Sequence, residues 1–304
     1  MLRPALLLLL AFSAPAAAET WRVGPGEALR LPSEAAARAG PGDTVLLAAG
    51  TYADCAVWRA PGVTVAAMEG AAPVITGPVC AGKGLFVAAA PGLVVRGLTF
   101  RGARAAEGNG AGIRAEGGDL TVLASRFEDN ENGILTSPSG AGWRLVVEDS
   151  AFLRNGALLR ECAHGIYAGQ WAEVVVRRSR FADTRVCHHL KSRAARTELS
   201  DSVVEDGPDS LTSYLVDTPN GGDLLLRGNT LVKGPRTDNP LTAVMIGAEG
   251  VRHPTRSLVI EGNRFESRLE APVFFVFNRT AAPVRLEGNQ LRGRVVPLGG
   301  PEAR

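Results

Sequence analysis

Residues 187–194 read Cys-His-His-Leu-Lys-Ser-Arg-Ala and place a thiol, two imidazoles, an ammonium and a guanidinium in eight positions. They use Cys187, one of four cysteines, His188 and His189, half of the histidines, and Lys191, one of three lysines. Sulfur and nitrogen ligands of this kind could hold a metal ion. Equally, a base beside a cation could take a proton from a carbon next to a carboxylate. A solvated basic strand is the bland alternative. Neighbours along a strand point to opposite faces, so the choice turns on the elements that carry these residues.

A repeat supplies those elements. Octets at 93–100, 120–127, 145–152, 174–181, 197–204, 224–231, 258–265 and 284–291 alternate apolar positions and close on a large apolar residue. Their closing residues lie 23 to 34 positions apart. Two places before the close stand Ser125, Ser150, Ser179, Ser202, Asn229, Asn263 and Asn289. Alternation with period two predicts strands with one buried face. Strands recurring about every 25 residues without helices between them stack as coils of a parallel β-solenoid. The Ser/Asn column predicts a hydrogen-bonded ladder at one corner.

The ends and the composition narrow the class. Arg3, an apolar run through Phe12 and Ala16-Ala17-Ala18 before Glu19 read as a secretory leader over 1–18. The apolar run is too short to span a bilayer, so no membrane anchor is expected, and the mature chain is placed in the periplasm or outside the cell. Its formal charge falls from +2 to +1 once Arg3 leaves. That near-neutral balance gives no basis for a nucleic-acid partner. Residues 19–304 are expected to form one domain, a monomer, with 31–52 as its cap and first coil.

Cys55 and Cys80 are 25 residues apart, as are Cys162 and Cys187. One coil of separation stacks each pair within disulfide reach, and an exported chain meets an oxidising medium. Disulfides Cys55–Cys80 and Cys162–Cys187 are therefore expected. Cys-His-His is not a zinc spacing, so no metal is assigned to this segment.

A second strand set runs through 132–135, 164–167, 188–191, 213–217 and 243–247. With Ile134, Ile166 and Leu190 inward, Tyr167 stacks beside Lys191 and Gly165 beside His189 on the outer face, with Arg193 following Lys191. His164 and His188 point inward or sit at the corner. Placing Val216 inward sets Asp217 beside Lys191; placing Leu215 inward sets Tyr214 and Val216 outside instead, and the first phase is preferred. His253, in a loop, is expected to face solvent.

Such an outer strip suits an acidic polysaccharide. Eliminating across a uronate needs a cation for its carboxylate, a base for the C5 proton and an acid at the leaving oxygen. The expected catalytic set is Lys191 as a base with its pKa lowered by neighbouring cations, Arg193 as the carboxylate clamp, and Tyr167 or His189 as the acid. His164, Tyr214, Asp217, Asn220 and Glu249 are the expected substrate contacts.

The chain resembles the right-handed parallel β-helix superfamily of pectate lyases, chondroitinase B and alginate lyases. In residues 31–52, a short helical stretch precedes Gly42-Asp43-Thr44-Val45-Leu46 and Gly50-Thr51-Tyr52, as in that group's N-terminal cap. Ser33 is read as the helix N-cap and Gly40 as the residue just past its end. Lys191-Ser192 matches half of the chondroitinase B and alginate lyase motif. The arginine expected one coil later is absent, since Leu211-Thr212-Ser213-Tyr214 stands there. The resemblance implies an all-β, right-handed parallel β-helix with a short N-terminal capping helix, acting on a polysaccharide by elimination or C5 epimerisation. Non-catalytic glycan binding is the alternative. No cofactor is called for, and calcium is left open.

Overall fold

The computed structural model describes residues 17–158 and 162–301, so most of the expected leader lies outside the described residues. The chain winds as a right-handed parallel β-solenoid of about ten turns. Three parallel sheets of 11, 10 and 10 strands form its walls. Each octet contributes one strand to each of two sheets, split at the corner where a Ser or Asn stands in all but the first, which has Leu98. Thus Leu145 pairs with Leu120 and Val174 in one sheet, and Phe152 with Phe127 and Phe181 in the next.

The alternating apolar residues fill one continuous core from Val23 to Val276. Phe100, Phe127, Phe152 and Phe181 stack through it, with ring centroids 5.1, 4.7 and 4.6 Å apart. Such contacts add about 0.5–1.5 kcal/mol per pair beyond area burial. At the corner the expected ladder forms. Ser125 accepts from the Leu98 amide, Ser150 from Ser125, Ser179 from Ser150 and Ser202 from Ser179. Asn229, Asn263 and Asn289 continue it: Asn229 accepts from the Ser202 amide, and the backbone and side-chain nitrogens of Asn229 and Asn263 donate to the side-chain oxygen of the next asparagine. Buried corner polar groups are satisfied from coil to coil, which locks the register.

Both disulfides join adjacent coils, with Cα atoms 5.4 Å apart for Cys55–Cys80 and 6.0 Å for Cys162–Cys187. The cap differs in detail from expectation. Its helix is Pro32–Ala36, opened by Leu31 rather than Ser33 and ending before Gly40. Proline takes the first helical position, where its missing N–H costs nothing. Glu34 reaches back to accept from the amides of Arg30 and Leu31, while the Ser33 amide is taken by Asp54.

The sheet that carries the site has strands Ala111–Ala115, Asn132–Thr136, Ile166–Ala168, Leu190–Ser192, Val216–Thr218 and Thr242–Ile246 at its centre. Its inner column is Ile113, Ile134, Ile166, Leu190, Val216 and Val244; the adjoining outer column is Arg114, Leu135, Tyr167, Lys191, Asp217 and Met245. Asp217 therefore stands beside Lys191, with Val216 inward.

Candidate functional site

In the middle of that outer column stand consecutive ionisable side chains, Tyr167, Lys191 and Asp217. Lys191 Nζ lies 3.0 Å from Asp217 Oδ2 and 2.8 Å from Glu249 Oε1. Arg193, two residues on and on the same face, puts Nη2 2.6 Å from Glu249 Oε2. Its Nε donates to Tyr167 Oη at 3.0 Å, and its Nη1 to Asn220 Oδ1 at 2.9 Å. Lys191 Nζ and Arg193 Cζ stand 5.9 and 5.7 Å from the Tyr167 ring centre, within cation–π range. Two cations, two carboxylates and a phenol thus form one cluster across three coils and a loop.

A ring column backs the cluster. His164, His188 and Tyr214 occupy the same offset, two residues before Ile166, Leu190 and Val216, and meet edge to face with centroids 4.9 and 5.1 Å apart. His164 also packs against Tyr167 at 5.0 Å. The His164 Nδ1 accepts from the His188 amide, and His188 Nε2 lies 3.2 Å from Asp217 Oδ2. Sequence reasoning left His188 out of the site, although its shared offset with His164 and Tyr214 was the available signal. Both His164 and Asn220 are buried behind the surface groups. Asn220 bonds Arg193 on one side and the Gly250 carbonyl on the other, so it aims the guanidinium. Tyr214 Oη accepts from Asn239 Nδ2 at 2.8 Å, and the half-buried His253 places Nε2 3.0 Å from the Arg193 carbonyl, which ties it to the site's backbone.

His189 does not belong to this face. It is fully buried, with Nε2 2.8 Å from Asp206 Oδ1 and Nδ1 2.8 Å from Thr184 Oγ1. The alternation fails there because the chain turns in at this position. In earlier coils Gly133 and Gly165 occupy it, where an added Cβ would come 2.6 Å from the Phe152 ring and 3.2 Å from that of Phe181. Just before it, Cys187 holds φ at 68°, in the left-handed region. His189 is thus an interior polar residue, satisfied by Asp206, and the expectation that it donates a proton to substrate is withdrawn.

Electrostatics revises the part given to Lys191. Burial alone would lower its pKa, but the Asp217 and Glu249 carboxylates outweigh that and hold it above its ordinary value. It is an ammonium at neutral pH, not a free base. Burial pushes Asp217 up, yet His188 and Lys191 bring it below the usual carboxylate range. Glu249 is held low by Lys191 and Arg193, also against burial. Burial pushes His164 well down, with His188, Lys191 and Arg193 adding to it. His188 is lowered by burial too, despite Asp217.

A pH dependence follows. His164 and His188 bind protons less readily in the folded chain than when unfolded, as do Asp206, Asp217 and Glu249. Unfolding therefore takes up protons, and stability rises with pH in these ranges. The histidine contribution is full above about pH 6.5 and is lost as pH falls below it; the carboxylate contribution is lost below about pH 4. The urea midpoint should fall between about pH 8 and pH 5, and His188→Gln should flatten that fall; an unchanged midpoint in the wild type would refute it.

A cavity of about 340 Å³ opens beside Tyr167 and Arg193 and runs toward the N-terminal coils along Arg114, Asn132 and Thr136, with Arg252 on its edge. Arg114 pairs with Glu116; the Arg252 side chain has no polar partner among the described residues. Neither was picked out from the sequence. Lys191 does not line this cavity. Beside Lys191, Asp217 Oδ1 and His188 Nδ1 are buried without a hydrogen-bond partner among the described residues. Neighbouring orphan atoms of this kind are uncommon in folded proteins.

Among the described residues, three metal-ligand atoms converge only at Cys162, His164 and Cys187, within 4.8 Å. Both sulfurs there are spent on a disulfide, so this geometry offers no thiolate.

No protein-family model matches the sequence, and comparison with curated proteins returns no match. Among solved structures the chain is similar to the A-module of the Azotobacter vinelandii mannuronan C-5 epimerase AlgE4, at 15% identity over 88% of this chain and 92% of that one, with a TM-score of 0.42. It is also similar to the alginate lyase AlyGC, at 14% identity and TM-score 0.49; this covers 96% of this chain but 41% of the lyase. For pectate lyase Pel9A the identity is 13%, over 92% and 78% of the two chains, with a TM-score of 0.47. At these identities and scores the likeness assigns neither substrate nor catalytic residues.

Proposed function

We propose that this is an exported, single-domain β-helix protein that binds an acidic polysaccharide along its central outer sheet and acts on a uronate by β-elimination or C5 epimerisation. The observation that carries this is the pairing of Lys191 and Arg193 around one carboxylate, with the Tyr167 hydroxyl held 3.0 Å from Arg193. A uronate carboxylate seated between those cations has its charge neutralised, which acidifies the adjacent C5 proton. The enolate-like state that follows removal of that proton carries more negative charge on the carboxylate oxygens, and fixed cations stabilise it more than the ground state. Tyr167 relays the proton: its oxygen takes hydrogen from C5 as its own proton passes to the C4 oxygen or to solvent. Asp217 and His188 hold the ammonium in place, and Asn220 holds the guanidinium. Elimination then expels the C4 oxygen with that proton, leaving a C4–C5 double bond; delivery of a solvent proton to the opposite face of C5 gives the epimer instead.

Two disulfides suit an oxidising compartment, and no helix is long and apolar enough to cross a membrane among the described residues. Glycan binding without turnover is the second reading, favoured by one feature: both site cations already have carboxylate partners.

The test is a panel of uronate polysaccharides incubated with and without calcium. Lyase action should raise the ultraviolet absorbance of unsaturated uronate, and epimerase action should exchange C5 hydrogen with deuterated solvent. Retention of a glycan with neither signal would leave only the binding reading, and no retention at all would reject both.

A further inference from the structure

We infer that Glu249 is a resident stand-in for the substrate carboxylate, which must leave Lys191 and Arg193 before a uronate can occupy the site. This rests on the uronate reading above and adds a gate to it. The two oxygens of Glu249 face different cations, Oε1 at 2.8 Å from Lys191 and Oε2 at 2.6 Å from Arg193. A planar carboxylate arriving from a sugar would need these same contacts. With Glu249 in place the cluster is balanced, Lys191 and Arg193 against Asp217 and Glu249. Adding a second exposed carboxylate would leave one anion unmatched, whereas exchanging one carboxylate for another keeps the balance.

Of the two resident carboxylates only Glu249 is free to go. Asp217 is 2% exposed and sits against both His188 and Lys191, while the Glu249 side chain is 43% exposed. The backbone beneath Glu249 is fixed. Its amide donates to the Pro219 carbonyl at 2.9 Å, the Gly247 amide to Thr218 at 2.9 Å, and the Arg252 amide to Asn220 at 2.8 Å. Exchange is therefore a rotation of the side chain about its own torsions, not a movement of the loop. There is room for it on the solvent side, because the Glu249 side chain is 43% exposed. Three residues along the same loop, Arg252 lines the cavity, a cation available to the anion that moves in or to the one that moves out.

Tyr167 and Arg193 line the cavity, while Lys191 does not. A neutral glycan brings nothing to exchange for Glu249, so Lys191 stays covered. Selectivity for charged polymers then comes from competition at one position.

Calorimetric titration of wild type, Glu249→Ala and Glu249→Gln decides this, using hexasaccharides of galacturonate, mannuronate and guluronate, with a neutral glucan hexasaccharide as control. Removing the competitor should tighten uronate binding by about ten-fold or more and leave the neutral glycan unchanged. Uronate binding by Glu249→Ala alone would be the strongest form of the same result. Should Glu249→Ala fail to fold, Glu249→Gln, which keeps the shape and removes the charge, is expected to tighten binding in the same direction. If the wild type binds a uronate and the variants bind it equally or more weakly, the gate is wrong and the uronate site stands. If none of the three binds any uronate, both are wrong.

Discussion

Lys191→Met is expected to destabilise the solenoid by about 3–5 kcal/mol and to abolish any uronate chemistry, and much of the lost stability should return when Asp217→Asn is added. The ammonium is the counter-charge for a carboxylate that is 2% exposed. Without it, Asp217 keeps only the neighbouring His188 at 3.2 Å, and the penalty for an uncompensated buried charge falls on the folded state alone. Neutralising Asp217 in the same chain removes that penalty without restoring the cation. The double variant should therefore fold better than Lys191→Met and stay inactive. Against a total stability of about 5–15 kcal/mol, the single change is large enough to read as a shift in the urea midpoint. Equal midpoints for wild type and Lys191→Met would show that the pair contributes nothing. A double variant no more stable than the single one would show that the loss has another origin.

Tyr167→Phe is expected to lower product formation at saturating substrate by about 10²–10⁴-fold while changing oligosaccharide affinity by much less. The ring is held independently of its hydroxyl, packed edge-on against His164 at 5.0 Å and beneath the Lys191 and Arg193 cations. Phenylalanine should keep that packing and lose only the atom that accepts from Arg193 Nε. A fall in the turnover number with little change in binding is the signature of a group acting on the reacting atoms. Full activity in Tyr167→Phe would take proton transfer away from Tyr167. A parallel loss of affinity would make it a binding residue only.

The coil architecture was legible because it is written several times over. Octets ending on Phe127, Phe152 and Phe181, with Ser125, Ser150 and Ser179 two places before, state the same strand–corner–strand instruction in successive coils. The register of Tyr167, Lys191 and Asp217 followed from the inward residues beside them. What alternation could not show is a place where the chain departs from it. His189 comes two residues after the left-handed Cys187, and its core position is visible only once Gly133 and Gly165 are seen to make room for phenylalanine rings. Nor could spacing reveal which partner a loop residue finds. Glu249 is legible as a site residue; its pairing with Lys191, 58 residues before it, is not, and that pairing turns a suspected base into a paired ammonium. Arg114 gave no such signal, because it is the one ionisable residue in 111–115, Ala-Gly-Ile-Arg-Ala.

The most direct measurement is a crystal structure of Tyr167→Phe soaked with an oligosaccharide of the preferred uronate polymer. The expected result is a uronate carboxylate between Lys191 Nζ and the Arg193 guanidinium, its C5 facing residue 167, with the sugar chain continuing along the cavity past Arg114 and Arg252. A glycan bound on another wall of the solenoid, or lying in the cavity with its carboxylates turned away from Lys191 and Arg193, would contradict the assignment.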